Sequence, residues 1–238
     1  TGTSIALKTE RKLAVDTGSF SLTGTSVAFK RSYVLIADSG AFVLDGKDIA
    51  LKTGRRLTVN PGTFSLIGTD VALKTGRKLT VNPGTFSLTG MDAALNVGYK
   101  LNAESGTYEL TGIDIELKAA RKLSVGSGSY SLTGYDVTFE RTYHLIAESG
   151  SFSLTGTPVT FRRTYILSVD SGSFTLTGEN VSLAKGYELL AGTGNFTLTG
   201  TDVAFEIARK LSIDSGTYNL TGTDITLNLA HKLILDSG

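Results

Sequence analysis

The chain has only two imidazoles, His144 and His231, and they stand at non-equivalent places in distant segments. Both replace residues that are mostly Lys, Arg or Tyr in the other copies, which places them at an exposed corner rather than in a general-base pair. There is no cysteine, so thiolate nucleophiles, disulfides and Cys-ligated zinc are excluded. Carboxylates are more numerous and regularly spaced. Asp48, Asp70, Asp92, Asp114, Asp136, Asp202 and Asp224 form one series, and Asp16, Asp38, Glu104, Glu148, Asp170, Asp214 and Asp236 another. Within each series the spacing is 22 residues or a multiple of it. Rows of stacked carboxylates can share Ca²⁺. Yet both slots also accept Ser, Asn, Gly or Pro, which build turns and are not carboxylate ligands, so Asx side chains bonding the turn backbone are the expectation. No cofactor is expected, and Ca²⁺ is the alternative weighed against that.

Cations gather on a third series: Lys8, Lys30, Lys52 and Lys74, with Arg55, Arg56, Arg77 and Lys78 beside them. A basic stripe of this kind would suit a polyanion such as lipopolysaccharide or nucleic acid. The same slot becomes Asn96, Glu140, Ala184, Glu206 and Asn228 further along, and the net charge is only +1. The stripe therefore reads as a solvated edge that keeps rods from pairing side by side, and nucleic acid is not expected. Three residues on in this corner, Arg and Tyr interchange (Arg11, Tyr33, Arg55, Arg77, Tyr99, Arg121, Tyr143, Tyr165, Tyr187, Arg209). Exposed Tyr can stack on sugars and Arg can pair with it through cation–π contacts, but packing between neighbouring copies is the expected account of the series. Threonines around a recurrent Thr-Gly-Thr resemble ice-binding arrays, but Asp45, Lys47, Ile67, Met91, Ile113, Tyr135 and Glu179 interrupt the rank. No nucleophile elbow, phosphate loop, dinucleotide fingerprint or metalloprotease helix occurs, and no copy of the repeat is broken as a grafted site would break it. An enzyme is not expected.

What positions these rows is a repeat of 22 residues without insertion or deletion. Copies start at residues 1, 23, 45, 67, 89, 111, 133, 155, 177, 199 and 221, the last truncated at Gly238, and together they form a single array over 1–238. Position 2 is always Gly (Gly2, Gly24 onward) and so is position 18 (Gly18, Gly40 onward). Position 13 is always Leu (Leu13, Leu35, Leu57, Leu79 onward). Apolar residues fall in three pairs, at positions 5/7, 13/15 and 20/22, with Phe or Tyr at 20. Spacing of two is strand alternation, not the helical 3.6.

Each unit reads as three short strands and three bends. Asn60-Pro61-Gly62 and Asn82-Pro83-Gly84 fit type II turns, with Gly at φ > 0. The Gly of Thr-Gly-x-Asp marks a corner where a side chain would clash. The fold class expected is all-β, a β-solenoid of about eleven coils, each stacked on its copy. The alternative is an antiparallel meander or barrel of short strands. The absence of indels favours the solenoid, because a coil must keep its perimeter whereas meander loops vary in length. A rung spacing near 4.8 Å makes a rod about 50 Å long. The phrase recurs because each coil buries its apolar face only against a copy of itself.

The spacing SGSFSLTGTxVxFxRxYxLxxxSGSF, seen around residues 149–174, resembles a repeat of bacteriophage proteins, many of them from uncultured phages. That resemblance implies a virion or tail-fibre-like structural role and transfers no catalytic residue. Curli-type fibre repeats have a similar period, but their Gln and Asn ladder positions are missing here. The function expected is a non-enzymatic shaft or filament protein, in a virion or outside the cell. Its partner would be itself, through end-to-end stacking or a homo-oligomer such as a trimer. The other class of function is a rod that grips a cell-surface glycan or polyanion through its Arg/Tyr/Lys corner. No apolar run is long enough for a spanning helix. No leader is legible, and neither end carries a polar capping unit.

Overall fold

The computed structural model describes residues 2–235 apart from 9–11, 16, 31–33, 99, 120–121, 214 and 230–231. Every strand pairing within it is parallel, and partners are one repeat apart except at an irregularity where Gly186 pairs with Ile207. The unit beginning at Asp45 shows the pattern with three strands, Asp48–Thr53, Arg56–Val59 and Thr63–Ile67. Ile49 pairs with Val71, Leu57 with Leu79, and Phe64 with Phe86. The chain is therefore a β-solenoid, and the antiparallel meander is set aside. The strands at positions 4–8 and 12–15 belong to one sheet bent at its middle. The strands at 19–23 form a second sheet that closes the coil.

Alternation along each strand sends three apolar pairs inward. In the same unit Ile49 is 2% exposed, and Leu51, Leu57, Val59, Phe64 and Leu66 are fully buried. Burial of each such side chain stabilises by about 1.5–3 kcal/mol. The continuously buried interior runs from Val27 to Val203. That is about eight turns where eleven coils were expected. The class is as expected, the count slightly smaller. Down the interior the rings of Phe20, Phe42, Phe64, Phe86, Tyr108, Tyr130, Phe152, Phe174, Phe196 and Tyr218 form one unbroken stack. Centroids lie 4.5 Å apart at the closest pair and 5.1 Å at the widest, which is the rung spacing itself.

Two features of the bends differ from expectation. No described glycine has a positive φ, so the Asn-Pro-Gly corners are not type II turns. Instead the Gly62 N–H donates to the Asn60 carbonyl across Pro61, a γ-type turn. Proline's fixed φ near −65° already suits that turn. The glycine is required by the preceding coil: a Cβ on Gly84 would strike the Asn60 carbonyl oxygen and sit 2.6 Å from that of Gly62. The one positive φ among the described residues belongs to Ser39, at 51°. The second difference is that the charged bend disappears in later units. Asp136–Ala147, Pro158–Val169, Asn180–Ala191 and Asp202–Ile213 each run unbroken through it, leaving two strands per coil there. Thr142 and Thr164 stand where Gly54 and Gly76 bend the earlier coils, and β-branched residues favour the extended backbone, whereas Asn180–Ala191 keeps Gly186 there and shows a register irregularity around it.

Candidate interaction faces

Alternation that buries positions 5 and 7 turns positions 4, 6 and 8 outward, so each rung adds one side chain to each of three parallel rows. Asp48 and Lys52 are exposed on either side of half-buried Ala50, and Asp70, Ala72 and Lys74 repeat the arrangement one rung on. Lys52 lies beside Lys74, and Arg56 beside Lys78, in the ladder register. Lys52, Arg55, Arg56, Lys74 and Arg77 are exposed and Lys78 is half-buried, and the register brings these six to one edge. The side chains of Lys8 and Lys30 lie outside the described ones. So do those of the Arg/Tyr series other than Arg55 and Arg77.

The structural positions behave as the repeat implies. Leu35, Leu57 and Leu79 form one fully buried column, with the Leu13 backbone paired to Leu35 below them. Gly2 pairs with Gly24. Gly40 is buried, and a Cβ on Gly62 would strike its carbonyl oxygen, whereas Gly18 in the first rung has open space around it. His144 is exposed, and His231 lies outside the described residues.

Among the described residues no three His, Asp or Glu side chains come together to hold a metal ion. The corner at position 16 instead carries a side-chain ladder. Asn82 Nδ2 donates to Asn60 Oδ1 at 2.7 Å, and Asn60 Nδ2 donates to Asp38 Oδ1 at 3.0 Å. These amides sit in the turn of each coil, outside the strands. Hydroxyls do related work further along, Ser127 Oγ donating to the Glu104 carbonyl at 3.3 Å and Ser171 Oγ to that of Glu148 at 3.2 Å.

Three features were not anticipated. Thr80, Asn102 and Ser124 face away from the core at position 14 yet are buried. The Thr80 hydroxyl and the Asn102 side-chain oxygen have no hydrogen-bond partner. The hydroxyls of Tyr108 and Tyr130 are likewise enclosed without a partner within the ring stack, and burial pushes both phenols well above their ordinary range. Finally, Met91, Ile113 and Tyr135 occupy position 3 on three successive rungs and are 52%, 51% and 61% exposed. Their alignment is visible in the sequence once the register is known, as one apolar row bordered by Asp92, Asp114 and Asp136.

With that surface described, comparison with known proteins adds no relative. No family model, curated protein or solved structure matches the chain. The reading of its role rests on the rod. Among the described residues no helix is long and apolar enough to cross a membrane. The surface divides into a basic edge, an acidic row, an apolar row at one corner and a Ser/Gly-lined groove of about 490 Å³ that includes Ser127, Ser149 and Ser171.

Proposed function

We propose that the chain is a non-enzymatic shaft, a stacked-coil rod that spaces or stiffens an assembly and extends by adding further coils. The observation that carries this reading is the constancy of register. Residue pairs such as Gly2–Gly24 at one end and Leu211–Leu233 at the other obey one displacement of 22 residues. A surface built this way has a template for the next rung at each end. A further coil of the same pattern, from this chain or a copy, can pair on such a template. The setting proposed is a phage tail or an extracellular filament, supported by the wording of the repeat.

Light scattering as a function of concentration tests growth by stacking. Scattering should rise with time for the unaltered chain and stay flat for a variant with Ile5→Lys and Ile225→Lys. A chain that stays monomeric at high concentration, with its terminal-rung amides protected from exchange, would overturn the reading. A second reading, a binding rod, is favoured by the exposed row Met91–Ile113–Tyr135, because aromatic and aliphatic side chains on successive rungs suit a sugar ring or an apolar partner. Glycan-array binding lost on Tyr135→Ser would favour it over the shaft.

A further inference from the structure

The outer face of the first strand carries more order than a solvated edge requires. Across the strand it reads acid, alanine, base: Asp48, Ala50, Lys52, then Asp70, Ala72, Lys74. Ala28 and Ala94 continue the central row below and above, and the floor between the rows is a shallow, mostly apolar trough of about 320 Å³. Asp and Lys on one strand stand four residues apart, about 13 Å, too far to meet each other. Among the described residues Asp48, Asp70, Lys52 and Lys74 form no ion pair, whereas Lys118 in a later unit reaches Glu116 at 2.6 Å. In this part of the face the charges are left unspent within the chain.

We propose that this face pairs with the same face of a second copy, the two rods lying parallel about a two-fold axis along their length. The symmetry follows from the row order. A two-fold axis along the rods exchanges left and right but keeps height, so each Asp row opposes the Lys row of the second copy. It also places alanine against alanine. An axis across the rods keeps left and right, and sets Asp against Asp. Only the parallel arrangement is complementary. Every row has the same rung spacing, so on the two rungs Asp48–Lys52 and Asp70–Lys74 the copies match charge for charge, which a protein of unrelated fold does not, while Ser26 and Asn96 take the place of a charge on the flanking rungs. Alanine lets the backbones approach closely, and the net charge of +1 opposes association little. The face covers about 400 Å² per copy, roughly half a standard interface. The pair is accordingly weak, and it strengthens as more rungs join.

The chain has no cysteine, which makes the test direct. Four single variants, Ala28→Cys, Ala50→Cys, Ala72→Cys and Ala94→Cys, should each form a disulfide dimer with itself, faster than a Ser65→Cys control on the other sheet. An antiparallel pair would instead link the Ala28 variant to the Ala94 variant and the Ala50 variant to the Ala72 variant. That outcome overturns the proposal, and so does linking no faster than the control. Lys52→Asp with Lys74→Asp should weaken self-association about tenfold, and so should Asp48→Lys with Asp70→Lys. Mixing the two variants should restore it, which a folding defect could not. Pairing should persist when Ile5→Lys and Ile225→Lys stop end-to-end growth, so this proposal and the shaft reading fail separately.

Discussion

Asn82 and Asn60 stand one repeat apart at the same corner, and the side-chain amide of the first donates to the side-chain oxygen of the second across 2.7 Å. The ladder ends on Asp38, whose Oδ1 accepts from Asn60 at 3.0 Å. Replacing Asn60 by Asp removes the donor and sets carboxylates on neighbouring rungs. We expect a loss of about 1–3 kcal/mol at neutral pH. The carboxyl of residue 60 in that variant would titrate high in the folded state, so the loss should shrink as the pH falls and protonation removes the repulsion. Thermal melts of both proteins between pH 4 and pH 7 check the sign. A gap that widens in acid contradicts the ladder.

The buried phenols give a test at the opposite end of the pH scale. Burial raises the folded-state pKa of Tyr108 and Tyr130, and the charge of Tyr130 raises that of Tyr108 further. For a group raised on folding, the stability it contributes is complete below the unfolded value, near 10, and is lost as the pH rises above it. The rod should therefore unfold in alkali, with phenolate absorbance appearing together with loss of the β-sheet signal. Tyr108→Phe with Tyr130→Phe removes two unpaired hydroxyls. It should leave stability at pH 7 unchanged or higher and move the alkaline midpoint upward. A fall in melting temperature would show that the hydroxyls are satisfied in solution.

Glycines at one repeat position should differ sharply in tolerance. A Cβ on Gly106 would strike the Asn82 carbonyl oxygen and lie 2.6 Å from Val81 Cγ1, whereas one on Gly18 meets nothing within 4 Å. Gly106→Ala should cost about 1–3 kcal/mol through overpacking, and Gly18→Ala close to nothing. Denaturant midpoints measure both. Equal costs would mean that backbone freedom, and not the preceding coil, selects glycine.

Inside and outside can be separated on adjacent residues. Leu101 is fully buried, and Lys100 beside it is half-buried. Leu101→Asp should destabilise by several kcal/mol, because an unpaired carboxylate enters the leucine column, while Lys100→Asp stays within about 0.5–1 kcal/mol. Matching thermal shifts would reverse the assignment of faces.

The course of the chain was legible wherever one position always does one thing. Leu35, Leu57 and Leu79 announce a buried column because only stacking makes an invariant spacing of 22 residues useful. The corners were harder. Gly62 and Gly84 carry the wording of a type II turn, yet their role is to clear the carbonyl of a residue one repeat away, and a local rule cannot see that neighbour. Burial of Thr80 and Asn102 at an outward position was equally hidden, since alternation predicts direction and not cover. The interaction surface was half legible. The basic edge was plain, but its pairing with an acidic row across an alanine row needed the strand to show that all three share one side.

The hydrogen bonds of the ladders run along the rod while the covalent chain winds around it, and this fixes how the molecule meets tension. A pull on the two ends loads whole layers of bonds together, so the rod is stiff at first. When a layer fails it frees a single coil of 22 residues, which can extend to about 75 Å. The same coil occupied about 4.8 Å of the rod. Stretching therefore proceeds by equal steps, each absorbing work and lengthening the chain roughly fifteenfold over the coil it consumes. A rod of this kind yields by releasing slack before any peptide bond is strained.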